Sequence, residues 1–218
     1  MNDLAPFDSV TGPSLRTIPR DVSLRSLLRA HTAEQHAVLD AHFSGFAERP
    51  THDLYHRFVR MNHAAYRALR NAMAQAGLGD SGELDRDVSA GLGRLEADMT
   101  AMELEPARPP RFALERYEAP ELAGIAYVLD GSKAGARFIH RKLSRAGILG
   151  SGADRSALFL EAAFAGETKD DREAMLSALD AGEATSTRAA HAAEATFAVF
   201  EDALCAVDGR KDRVRGRR

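Results

Sequence analysis

An all-α protein, a bundle of six to eight helices with short connections, is the fold class this sequence predicts. Three observations carry it. Leucine, alanine, arginine and glutamate dominate, tryptophan is absent and aromatics are only 6% of the chain, a balance that favours helix over sheet. Apolar residues recur at helical spacing in one segment after another. Prolines gather in the first twenty residues and in "ELEPARPPRF", where that spacing breaks. At 218 residues, 44% hydrophobic and 28% charged, the chain is long enough to bury a continuous core in one domain.

The elements follow in order. Residues 1–21 carry prolines, a glycine and scattered polar groups and read as an irregular N-terminal arm. Helical periodicity starts at Ser23 or just before it and runs toward Gly45. In "RPTHDLYHRF", Thr51 is placed to cap a helix reaching about Gly77, with Leu54, Phe58, Met61, Ala65 and Leu69 at core spacing. A third helix is expected from about Leu84 to Met102, then a proline-rich loop. The glycine-bearing segment "AGIAYVLDGSKAGARFIH" comes next, and "GILGSGADRS" turns the chain. Further helices are expected near 156–165, 168–180 and 183–206, the last with Phe197, Phe200 and Leu204 on one stripe. The helical domain thus spans 22–206, and 207–218, ending in "GRKDRVRGRR", reads as a basic, solvated, disordered tail.

A formal net charge of −3 gives no reason to expect nucleic acid as a partner. Cys205 is the only cysteine, which rules out an intrachain disulfide and any cysteine-based metal cluster. The first residues lack the basic-then-apolar order of a secretory signal, and no stretch is apolar enough for a membrane span, so a cytoplasmic protein is expected.

Gly124, Gly131 and Gly135 each cost about 1 kcal/mol against alanine in a helix interior. At 100° per residue they fall within about 40° of one another, with Asp130, Lys133, Arg137 and His140 on the opposite side. A helix face without side chains admits either a neighbouring helix or a flat cofactor close to the backbone, and the spacing alone leaves both open. A planar cofactor with a metal centre needs a ligand from the facing wall, and imidazole is the usual one. His52, His56 and His63 line up opposite the apolar stripe of their helix, which reads as a solvated face. On the first helix, His31 sits inside the apolar arc of Leu24, Leu27, Leu28 and Leu39 while His36 lies at its edge, so periodicity does not choose between them.

Two segments together resemble the haem oxygenase family. The pattern LR-x-x-T-x-x-x-H-x-x-L-[DE] that carries that family's iron-ligating histidine is matched by Leu28, Arg29, Thr32, His36, Leu39 and Asp40. The family's kinked distal helix is matched by "YVLDGSKAGARFI", with Gly131 and Gly135 in the glycine positions. Looser similarity extends to "AAHAAEATFAVFEDAL", so the resemblance spans about 22–206. It implies haem b as substrate and cofactor at once, its iron held by His36, and dioxygen bound on the side of Gly131, Ser132 and Gly135. The product implied is biliverdin, with release of carbon monoxide and iron, and electrons come from a reductase or ferredoxin. Arg29, Thr32, Tyr127 and Lys169 fall at positions where the resemblance implies contact with haem, the cations and Tyr127 at its propionates. Ser132 stands where many members carry aspartate, which keeps a non-catalytic haem carrier or sensor as the rival reading. An all-α interaction domain, whose glycines merely pack helices, is the third.

Overall fold

The computed structural model describes residues 23–78, 82–149, 156–164 and 182–209. Within them are seven helices and no strand: α1 (Leu24–His42), α2 (Gly45–Glu48), α3 (His52–Gln75), α4 (Glu83–Ala101), α5 (Ala119–Arg145), α6 (Leu158–Ala162) and α7 (Glu183–Val207). The predicted helix at 168–180, the N-terminal arm and most of the basic tail lie outside the described residues. No helix among the described residues is long and apolar enough to cross a membrane.

Local chemistry sets the helix ends. Ser23 accepts the Ser26 backbone N–H at 3.3 Å and Thr51 accepts that of Leu54 at 3.2 Å, so α1 and α3 begin where short oxygen-bearing side chains can take up an orphan donor. α5 opens with a reciprocal pair, in which Glu118 and Glu121 each satisfy the other's backbone N–H, followed by Pro120 in the first turn. It closes at Gly147, whose φ of 69° lets the Ile148 N–H return to the Leu143 carbonyl at 3.0 Å.

Helix α3 is the buried centre. It packs against α4 on one side and α7 on another, with Tyr55, Phe58, Val59, Met61, Leu69 and Met73 in the core. That double coverage corrects one expectation. His63 is not on a solvated face; it is 4% exposed, because α3 is covered well beyond the single stripe its strongest apolar residues define. His52 is exposed and His56 half-buried.

A buried carboxylate fastens the short α6. Asp98 of α4 accepts the Ser156 hydroxyl at 2.5 Å and the backbone N–H groups of Leu158 and Phe159 at 2.9 and 3.0 Å, acting as a cap supplied from another helix. Tyr55 donates to the Ser156 carbonyl at 2.7 Å and joins α3 to the same knot. Burial, with Asp98 and Glu161 adding to it, pushes the Tyr55 hydroxyl far above the ordinary phenol range, so it stays a donor.

The last long helix, α7, is the shared support. Its alanines Ala189, Ala190, Ala192 and Ala193 are buried, and α5 and α1 both lie along it while barely touching each other. Arg188 ties the start of α7 to the start of α5, donating to both Glu121 oxygens at 2.7 Å and to Glu118 at 2.7 Å. α1 and α5 thus both stand on α7 and share few contacts with each other.

Candidate functional site

The three glycines of α5 do different things, although they share an angle about the helix axis. A Cβ added at Gly124 would collide with the Ala189 carbonyl oxygen, and would lie 2.9 Å from Ala192 Cβ and 3.0 Å from the Ala193 nitrogen. Gly124 therefore exists for close helix packing. At Gly131 and at Gly135 an added Cβ would meet nothing within 4 Å. Their backbone faces open space, and no neighbouring helix explains the absence of side chains there.

The candidate histidines lie on α1. His36 has a side chain 57% exposed, with its Nδ1 2.9 Å from an Asp40 carboxylate oxygen one turn on. An imidazole donating through Nδ1–H to a carboxylate presents an unprotonated Nε2, the atom an iron ligand must offer. The other side of the ring meets Phe197 of α7, edge to face, with centroids 5.8 Å apart. His31, expected in the apolar arc, is instead exposed, its Nδ1 3.4 Å from Glu194 of α7. Phe197 and Glu194 were not readable as neighbours of these histidines, because only the packing of α1 on α7 brings them there.

The remaining described candidates lie on α1 and α5. Arg29 is exposed and seven residues before His36, so it lies on the same face of α1 about 10 Å along the axis. Thr32 is 2% exposed and its hydroxyl donates to the Leu28 carbonyl at 2.8 Å, so its polar group is engaged by its own helix. Tyr127 is half-buried against the core. The Ser132 hydroxyl donates to the Leu129 carbonyl at 2.5 Å, which leaves its oxygen lone pairs as acceptors. Beside it, Lys133 and Asp130 pair at 3.2 Å on the neighbouring surface. Lys169 lies outside the described residues.

A haem is the group these residues fit. The backbone at Gly131 and Gly135 is bare and faces open space, so a flat group can lie against it, and an imidazole hydrogen-bonded to a carboxylate stands on the other helix of the same support. Among the described residues no cluster of three or more histidine, cysteine, aspartate or glutamate side chains is able to hold a bare metal ion.

These helices define an all-α protein of the haem oxygenase fold. The fold is shared with the NO- and CO-bound haem oxygenase from Neisseria meningitidis, whose crystal structure superposes with a TM-score of 0.61 over 90% of this chain and 98% of that one, at 18% sequence identity. No protein-family model matches the sequence, and no curated protein matches it either.

Proposed function

We propose that the chain binds haem between α1 and α5 and cleaves it oxidatively to biliverdin, carbon monoxide and ferrous iron, using dioxygen and electrons from an external reductase or ferredoxin. The observation that carries this reading is the open backbone at Gly131 and Gly135, on a helix that shares its support with the one bearing His36. Haem, when bound, supplies both the iron that activates dioxygen and the porphyrin that is opened. His36 is the iron ligand, and Asp40 fixes its tautomer and ring orientation. Gly131 and Gly135 let the distal helix lie against the porphyrin face and leave room for a diatomic ligand. The Ser132 oxygen accepts a hydrogen bond from a water, which holds a proton donor at that face. Arg29 and Tyr127, with Lys169 as a further cation, take the propionates, and arginine suits this because its planar fork pairs with a carboxylate bidentately. Thr32 keeps α1 packed beneath its haem-facing side. We place the protein in a bacterial cytoplasm, where a reductase or ferredoxin is at hand.

The test is an absorption spectrum of the purified protein with added hemin, before and after reduction in air. Binding of hemin with a histidine-ligated spectrum, then loss of the Soret band with growth of biliverdin absorption, is the expected result. His36→Ala should abolish the histidine-ligated spectrum; its persistence would refute the assignment of the ligand. Ser132, in the place where many members of the family carry aspartate, favours a second reading as a haem carrier. That reading predicts the same ferric spectrum and no Soret loss with reductant.

A further inference from the structure

The proline-rich connection between α4 and α5 plays no part in the site described above. Its stretch "LEPARPPR", residues 104–111, is shaped by its own chemistry. Proline fixes its φ at about −65° and drives the residue before it out of the helical region. Pro106, Pro109 and Pro110 thereby hold five of the six residues from 105 to 110 to extended, polyproline II backbone, Ala107 being the sixth. The hydrogen bonding agrees: no residue from Pro106 to Ala113 bonds to another described residue, as in a polyproline II helix, whose backbone is left to water. Both ends are fastened. The Leu104 N–H donates to the Met99 carbonyl at 2.9 Å and Arg60 Nε to the Glu105 carbonyl at 2.9 Å, while the Leu114 N–H donates to the Tyr117 hydroxyl at 3.3 Å.

Three residues per turn give such a segment three ridges of side chains. Glu105, Arg108 and Arg111 share one ridge, and all three are exposed. Pro106 and Pro109 share the next, the first exposed and the second half-buried. Ala107 and Pro110 share the last, where Ala107 is 8% exposed and anchors the segment in the core. Phe112 is buried and ends the accessible stretch, which is about 19 Å long from Glu105 to Arg111. A groove that receives a three-sided rod touches two ridges and leaves the third outside. Here the inward ridge is the one such a groove does not need, so the fold displays Pro106, Pro109 and Arg111 together. Among the described residues neither Arg108 nor Arg111 meets a carboxylate.

We propose that residues 105–111 are a docking segment for a partner protein of SH3 type, one whose aromatic-lined groove receives a polyproline II helix and carries a carboxylate beside it. Prolines at 106 and 109 fill the groove at little entropic cost, because the segment is extended before it binds. Arg111, at the C-terminal end of the pattern P-x-x-P-x-R, pairs with the carboxylate and fixes which way the segment lies. The test titrates the full chain, as purified, into a nitrogen-15-labelled SH3 domain that takes ligands of this pattern. Shifts confined to the aromatic groove are expected, and Arg111→Glu should weaken binding about tenfold. Arg116→Glu, an exposed arginine outside the pattern, should bind as the wild type does, and all three proteins should melt at the same temperature. No shifts, or equal weakening by both variants, overturns the proposal. So does binding of a synthetic peptide of residues 104–112 when the folded chain does not bind, since the fold would then mask the segment. Adsorption of the wild type but not Arg111→Glu to phosphatidylglycerol vesicles, with no effect on the SH3 domain, would mark an anion-binding surface and overturn it as well.

Discussion

Replacing each glycine of α5 by alanine, one at a time, separates packing from ligand access. At Gly124 the added methyl meets the backbone of Ala189 and Ala193, atoms that cannot rotate aside, as well as Ala192 Cβ. Overpacking of this kind costs up to about 3 kcal/mol, while alanine returns about 1 kcal/mol of helix propensity, for a net loss of about 2 kcal/mol. For a chain of this size that lowers Tm by about 4–8 °C. At Gly131 and Gly135 the methyl enters open space, so only the propensity gain of about 1 kcal/mol remains and Tm should rise by about 2–4 °C. On the proposed haem reading the same two substitutions should weaken hemin binding by about tenfold, close to 1.4 kcal/mol, since the methyl would stand between the helix backbone and the porphyrin. Thermal unfolding of the haem-free proteins followed by circular dichroism, and hemin titration of each, give the two readouts. Equal stability of Gly124→Ala and Gly131→Ala, or unchanged hemin affinity at positions 131 and 135, would refute the division drawn among the three glycines.

Two further outcomes are expected. Asp98→Ala removes the acceptor of three hydrogen bonds that cap α6 from α4, and should cost about 3 kcal/mol, read as a lower urea midpoint with an unchanged slope; a loss under 1 kcal/mol would show that water replaces the carboxylate. Burial, aided by Arg67 and opposed by Glu96, holds the His63 pKa below its ordinary value, so the folded state binds fewer protons there than the unfolded chain. The stability this confers is present in full above about pH 6.5 and falls as pH drops from there toward the folded-state pKa, and His63→Leu should flatten that decline in urea melts taken between pH 7.5 and 5.

Helix boundaries were legible because their causes are local. Ser23 and Thr51 cap the helices they precede, and the predicted span from Leu84 to Met102 differs from α4 by one residue at each end. What periodicity reports is an angle about one axis. It says nothing of what stands at a given height along that axis, which is why Gly124 and Gly131 read alike in the sequence and differ in the fold. It also assumes one buried face, and His63 breaks that assumption because α3 is flanked by both α4 and α7. The Asp98 knot and the Arg188 fork join residues about sixty to seventy positions apart, so no window along the chain contains either. His36 was separated from His31 by motif resemblance, and the Asp40 contact that orients its ring is a one-turn pairing that the sequence already held.

α1 and α5 lean on α7 rather than on each other, so α7 works as a spacer gauge between them. Its alanines let α5 settle deeply at Gly124, and its Phe197 props the imidazole on the far side. The separation of α1 and α5 is therefore written in the small residues of α7, and bulk added at Ala192 or Ala193 would re-set it from behind.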